Sequence, residues 1–139
     1  MIKYFIKLSQ GEITMKVLMP IYPIYIEEIF NGIKKYEFRR KIFKNKDVDT
    51  VVMYATVPVK KIVGEFKIKN IICDTPENLW KLHHKIDKES HKNFLNYLKD
   101  LEKAYAMEIT DIKKYPNPLE IQELFPNLKK VPQSFMYID

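Results

Sequence analysis

Residues 15–40, MKVLMPIYPIYIEEIFNGIKKYEFRR, hold the reading on which the fold turns. The run from Met15 opens the compact unit. Ile24, Ile26, Ile29 and Phe30, with Glu27 and Glu28 between them, suit one short helix, and Asn31-Gly32 closes it with a left-handed residue. A strand-like segment then occupies about 35–43. Side chains alternate along a strand, so Lys35, Glu37, Arg39 and Lys41 share one face and Tyr36 and Phe38 share the other with Lys34 and Arg40.

Further strand-like segments follow at 50–56 (TVVMYAT) and 61–73 (KIVGEFKIKNIIC), where Phe66 and Ile68 alternate with Lys67 and Lys69. Asp74-Thr75-Pro76-Glu77 is a helix start. An oxygen side chain caps free N–H groups, proline fits the first turn and a carboxylate suits the positive helix end. Two helices are expected there, the second from about Ser90 with a stripe of Phe94, Tyr97, Leu98, Leu101 and Tyr105. A strand at AYAMEITDIKKY should stop at Pro116 and Pro118. A helical turn near 119–124 and a strand over Ser134–Ile138 complete an α+β domain on a curled sheet or small barrel.

The 139 residues argue for one domain, with 46% hydrophobic and 13% aromatic residues enough for a core. Residues 1–14 read as an N-terminal extension and 15–139 as the domain. The single cysteine, Cys73, excludes an intramolecular disulfide and a CxxC metal ribbon, which suits a cytoplasmic setting. No apolar run has the roughly 18–20 residues that span a bilayer, and Lys3, Lys7 and Glu12 interrupt any signal-peptide core, so no membrane partner is expected. Three glycines cannot build a phosphate-cradling loop.

The net charge is +6. Between Lys34 and Lys46 seven cations (Lys34, Lys35, Arg39, Arg40, Lys41, Lys44, Lys46) face one anion, Glu37, so this window alone equals the charge of the whole chain. A positive surface with aromatic rings, here Tyr36 and Tyr54, is what a nucleic-acid groove uses: phosphates supply affinity and rings stack bases. The plainer alternative is an exposed strand whose cations suppress edge pairing. Lys60, Lys61, Lys67 and Lys69 around Glu65 extend the positive surface or keep a half-exposed strand soluble.

His83, His84 and His91 lack metal-ligand spacing and read as solvated helix positions; no metal or cofactor is expected. Cys73 has no histidine near it in sequence and reads as packing. No GxSxG elbow surrounds any serine. Lys34 with Glu37 is the one pair suited to acid–base work, since a desolvated lysine beside a carboxylate serves as base or nucleophile; such pairs are also ordinary salt bridges.

The run from Met15 to Arg40, then VVMYATVPVKKIVGEFKI, AYAMEI and the terminal PQSFMYI, resembles the ASCH domains of the PUA-like superfamily. The specific element is a G-x-K-x-x-E-x-R pattern at Gly32, Lys34, Glu37 and Arg39. The resemblance implies a small β-barrel with flanking helices and a cleft for RNA or a single flipped nucleotide. Lys34, Glu37 and Arg39 would line it, with the Tyr54–Pro58 loop on its rim. That pattern wants Lys34 and Glu37 together, whereas alternation separates them, so the strand begins after Lys34 or a bulge intervenes.

Some relatives are amidohydrolases that act on acylated cytidine, with a lysine at the position of Lys34 and a threonine at that of Glu37. Others are described as ribonucleases. Glutamate here removes the nucleophile the first activity needs, and Pro20-Ile21-Tyr22-Pro23 stands where many relatives read Ser-Ile-Lys-Pro. The expectation is a nucleic-acid-binding domain, for RNA rather than DNA, regulatory in role, using Lys34, Lys35, Tyr36, Glu37, Arg39, Arg40, Lys41, Tyr54 and Thr56. In it Arg39 and Lys34 hold phosphate, Glu37 reads a base and Tyr54 stacks. The alternatives are a hydrolase of RNA or modified nucleosides with Lys34 and Glu37 catalytic, and a protein-interaction module.

Overall fold

The computed structural model describes residues 4–6 and 14–138. Its fold is α+β, with strands β1 (Tyr4–Ile6), β2 (Met15–Ile21), β3 (Tyr36–Arg39), β4 (Val48–Ala55), β5 (Lys61–Asp74), β6 (Ala104–Leu119) and β7 (Met136–Ile138). The helices are α1 (Pro23–Phe30), α2 (Pro76–Trp80), α3 (Lys88–Tyr97) and α4 (Ile121–Leu124). The sheet runs β3-β6-β5-β4-β2-β7, and β1 joins β5 antiparallel opposite Ile71–Cys73. That side of β5 is free because β4 pairs β5 only as far as Lys67. Of the expected extension 1–14, Tyr4–Ile6 thus lies on the sheet, and residues 1–3 and 7–13 fall outside the described part.

β2 and β4 are parallel; the β4–β5, β5–β6, β3–β6 and β2–β7 pairs are antiparallel. Because side chains alternate, the central strands feed two cores. Val17, Met19, Val51, Met53 and Phe66 fill the inner one with Ile26 and Ile29 of α1. Leu18, Val52, Tyr54, Ile62 and Ile121 form another, covered by Leu119, Phe125, Leu128 and Val131 near the C-terminus. A third joins Phe38, Ile72, Ala104 and Ala106 to Leu79, Phe94 and Leu98 of the α2–α3 region. Each buried side chain of this size is worth about 1.5–3 kcal/mol. β2 and β4, buried on both faces, therefore anchor the sheet.

The turn and capping chemistry follows the sequence. Gly32 takes φ +73° just after α1, and Thr75 Oγ1 accepts the Asn78 N–H at 3.2 Å to cap α2. Helix α3 starts two residues earlier than Ser90, capped by Asp87, whose carboxylate accepts the Ser90 N–H at 2.8 Å. It also ends at Tyr97, so Leu101 and Tyr105 are not on it; Asp100 turns the chain with φ +67° and Tyr105 lies in β6.

Strand β6 continues through Pro116 and Pro118 to Leu119, past the expected stop. β3 borders β6 only between Tyr105 and Glu108, so the later prolines lie on an edge strand, where a missing N–H breaks no ladder bond. Gly64 is required where β5 and β6 converge. A Cβ there would lie 2.5 Å from the Lys113 carbonyl oxygen and 2.8 Å from the Phe30 ring.

The sheet is not a closed barrel: β3 and β7 end its hydrogen-bonded path. The two ends nonetheless meet, because Arg39 of β3 donates to the carbonyls of Pro20 in β2 and of Ser134 just before β7. Phe43 and Phe135 pack edge to face across the same seam, with centroids 6.0 Å apart. Among the described residues no helix is long and apolar enough to cross a membrane.

Candidate nucleic-acid interface

β3 begins at Tyr36, and this resolves the conflict between alternation and pattern: Lys34 precedes the strand. The N–H groups of Ile33 and Lys34 both donate to the Glu28 carbonyl at the end of α1, at 2.9 and 3.1 Å, which fixes the turn. Lys34 Nζ then reaches Glu37 Oε1 at 3.6 Å, and Glu37 Oε2 accepts from Arg39 at 3.1 Å. The Arg39 guanidinium also donates to Pro20 O (3.3 Å), Ser134 O (2.7 Å) and Gln133 O (3.4 Å). Lys34 and Glu37 are each only 5% exposed. A charge cluster of net +1 is thus built into the seam of the sheet.

The Lys34 ammonium is incompletely satisfied. It stands 5.0 Å from the centre of the Phe38 ring and 5.4 Å from that of Tyr25, both favourable cation–π placements. Yet it makes no hydrogen bond among the described residues, its carboxylate neighbour being beyond hydrogen-bond range. The residue is nearly buried, yet its Nζ is not among the fully enclosed unpaired side-chain atoms, so three strong donors meet solvent with no protein acceptor at close range among the described residues.

The other expected residues do not all gather here. Lys35 and Lys41 are exposed on either side of the strand, while Tyr36 is half-buried against the α2–α3 core, its hydroxyl pKa raised by burial and then by Glu108. Arg40 is committed to the end of α3, donating to the carbonyls of Tyr97 (2.7 Å) and Lys99 (3.2 Å), where a cation suits the negative helix end. The expectation that Tyr54 stacks a base is corrected. Alternation along β4 turns its ring away from the inner core into the cluster with Leu18, Val52 and Ile121, and it is 9% exposed. Thr56 lies across β2 from Arg39. Its N–H donates to Ile21 O, and its Oγ1 is buried without a partner among the described residues.

His91 is a helix position on α3, with its side chain partly open to solvent, whereas His83 and His84 follow α2 outside any helix and are half-buried. His83 stacks on Phe38 (5.6 Å, 13°) and lies against Trp80 (4.6 Å), and its Nδ1 accepts the Lys85 N–H. Burial first, then the charge of Lys34, lowers its pKa to about 4. It is therefore neutral near pH 7, with the ring proton on Nε2. His84 Nε2 contacts Glu28 at 3.1 Å, and His91 stacks on Trp80 at 4.7 Å. Among the described residues no group of three or more His, Cys, Asp or Glu is placed to hold a metal ion. Cys73 is buried.

Three tyrosines near the cluster were not marked by the sequence as binding residues. Tyr22 and Tyr25 flank Pro23 at the start of α1, with ring centres 5.9 Å apart. Tyr97 ends α3, and its hydroxyl donates to Phe38 O at 3.4 Å. Burial raises the Tyr97 pKa, and the charges of Arg39, Glu37 and Arg40 reach it. Spacing alone assigned Tyr97 to a core stripe and offered nothing for Tyr22.

The lysines of β5 are arranged otherwise. Lys61 faces Glu120 at 3.6 Å and Lys69 faces Glu108 at 4.0 Å. Glu65 is held by Lys16 at 3.3 Å and accepts the Tyr115 hydroxyl at 2.6 Å. Burial opposes its ionisation, but the Tyr115 hydrogen bond and Lys16 together lower its pKa, while Tyr115 is pushed upward by burial and by Glu65.

The model of the ASCH domain matches residues 19–115. A large ribosomal subunit protein, uL22, of Ureaplasma parvum is 28% identical over 130 residues, which is 94% of this chain but 41% of that protein. The chain therefore spans less than half the length of that relative. An ASCH domain-containing ribonuclease of Zymomonas mobilis is 26% identical over 109 residues, covering 78% of this chain and 73% of the relative. The crystal structure of an ASCH protein from Zymomonas mobilis superposes with a TM-score of 0.75 at 24% identity, covering 89% of this chain and 87% of that one. A variant of the same protein gives 0.76 with 88% of its chain covered.

Proposed function

Starting from a chain that belongs to the ASCH domain family, with a PUA-like fold, we propose that it binds nucleic acid in the cytosol, RNA in preference to DNA, by receiving one unpaired nucleotide at Lys34. One observation carries the reading: Lys34 is nearly buried as a residue, while its ammonium stays in reach of solvent and lacks an acceptor within hydrogen-bond distance among the described residues. A phosphate or keto oxygen would complete it, and charge-assisted hydrogen bonds of this kind are roughly twice as strong as neutral ones. Arg39 and Glu37 act differently from the simplest reading of the motif. Their hydrogen bonds go to the seam and to each other, so they hold Lys34 in place rather than contact the strand. Exposed Lys35, Lys41, Lys44 and Lys46 supply the general attraction to the backbone.

A second reading has a specific support: a relative is named a ribonuclease. Lys34 and Glu37 at 3.6 Å would then serve as base and acid on RNA. One titration separates the two. Labelled single-stranded RNA, single-stranded DNA and duplex are followed by anisotropy across a salt series, and the RNA is run on a gel afterwards. Binding predicts a log–log salt slope near −0.7 per phosphate contact, tightest for single-stranded RNA, with Lys34→Met weaker than wild type and the RNA intact. Cleavage abolished by Lys34→Met establishes the second reading, and a flat salt response with wild type and variant alike discards both.

A further inference from the structure

We infer that Tyr22, Tyr25 and Tyr97 form a stacking rim that takes the face of an unpaired nucleobase while Lys34 binds an oxygen of the same nucleotide; this rests on the binding reading above. The rim is read from three positions in the fold. Tyr22 immediately precedes α1 and is 65% exposed; Tyr25, one turn in, is 39% exposed and covers Lys34. Tyr97 approaches from the opposite element, the last turn of α3, and is 44% exposed, with its hydroxyl tied to the β3 backbone at Phe38. Single exposed aromatic residues are ordinary on protein surfaces. Here the Tyr25 ring faces the Lys34 ammonium, Tyr22 adjoins Tyr25, and Tyr97 is tied to the backbone of Phe38, whose own ring faces the same ammonium.

The chemistry favours a nucleobase. Tyr22 and Tyr25 meet at 53° rather than stacking on each other, so a ring face on each is left for a ligand. A base within a duplex has both faces covered by its neighbours, whereas an unpaired base has a face to offer. Exposed Arg40 donates to the Tyr97 carbonyl, and Lys35 and Lys41, close to Lys34 in the chain, are exposed cations against exposed Glu27 of α1, a balance that suits a phosphate-bearing ligand and disfavours a basic peptide. Tyrosine orders at low entropic cost, and the Tyr97 ring is already held by its hydrogen bond. The same geometry replaces Tyr54, whose ring is enclosed in a core, as the source of stacking.

The test uses single-stranded RNA carrying 2-aminopurine, whose fluorescence falls on stacking, beside an otherwise identical abasic strand. Tyr22→Leu and Tyr25→Leu should each weaken binding of the 2-aminopurine strand at least about 5-fold and relieve its quenching, with the abasic strand unaffected. Tyr22→Phe and Tyr25→Phe should behave as wild type. Thermal melting is run on every variant: Tyr22→Leu should leave it unchanged, and Tyr25→Leu should lower it only slightly, since that ring also faces the Lys34 ammonium. Leucine variants that bind and quench like wild type overturn the rim while leaving Lys34 as the binding group. Failure of wild type to bind any strand at low salt overturns the underlying reading and the rim with it. Tyrosine-dependent binding of an acidic peptide without RNA binding would assign the surface to a protein instead.

Discussion

Two lysine-bearing regions of this molecule share a composition and differ in construction. From Lys34 to Arg39 the charges turn inward: Lys34 and Glu37 are nearly buried, and Arg39 is spent on three carbonyl oxygens across the seam. Around β5, Lys16 of β2 and Lys67 and Lys69 of β5 stay exposed, and two of them have a carboxylate partner, Lys16 in half-buried Glu65 and Lys69 in Glu108. Counting cations in a window does not separate these cases. What separates them is where the alternating strand and the preceding turn point each side chain. The seam concentrates unmet electrostatic demand, and the outer face dissipates it.

Removing the anion from the seam gives the largest expected effect. Glu37→Ala leaves Lys34 and Arg39 without their common counter-charge in a buried place, and breaking such a pair from one side costs about 3–5 kcal/mol. Urea unfolding reads the loss as a lower midpoint at unchanged slope. The double variant Lys34→Met with Glu37→Ala should recover part of it, because one of the two cations left behind in the single variant is gone, while Arg39 keeps its carbonyl acceptors. A Glu37→Ala change under 1 kcal/mol would place the seam in the same class as the outer face.

The next effect is a pH dependence on the seam side. His83 has a folded pKa of about 4, below its ordinary value of 6.5, because burial and Lys34 oppose its charge. Below 6.5 the unfolded chain therefore binds a proton that the folded chain refuses. The stability it contributes is present above about pH 6.5 and is lost progressively as the pH falls toward 4. His83→Gln removes the titration. The difference in unfolding free energy between wild type and variant, measured from pH 4 to 7.5, should rise with pH across that window and level off above it. A difference independent of pH would mean that His83 is open to water and does not feel Lys34.

How far the letters reach depends on the range of the physics involved. The closure of α1 at Asn31-Gly32 and the Thr75 cap of α2 are local bonds, and both were legible. β2 lacked alternation because it is buried on both faces, which a continuous apolar run does not distinguish from other buried segments. The passage of β6 through Pro116 was unreadable because it depends on which strand ends beside it. In the candidate site, the motif singled out Lys34, Glu37 and Arg39, and the fold brings their side chains together. The use of Arg39 on Ser134, 95 positions away, and of Arg40 on the end of α3 follow from tertiary closure. Tyr54 misled for the same reason: its neighbour Ile121 comes from the C-terminal segment that folds over β4.

The smallest expected effect bears most directly on where RNA would lie. Lys67→Ala and Lys69→Ala each change an exposed side chain, and the 4.0 Å pair of Lys69 with Glu108 stands in water that screens it, so stability should move by less than about 0.5 kcal/mol. Their influence on binding is the sharper measurement. A lysine that touches a phosphate contributes roughly 0.7 to the salt slope on single strands, and its removal reduces the slope by that amount. Because the outer face carries its own carboxylates, these substitutions should leave the slope unaltered, while Lys35→Ala and Lys41→Ala beside the seam should each lower it. A loss of slope from Lys67→Ala as large as from Lys41→Ala would extend the nucleic-acid path over β5, and the contrast between an organised seam and a neutralised outer face would no longer describe how the protein meets its ligand.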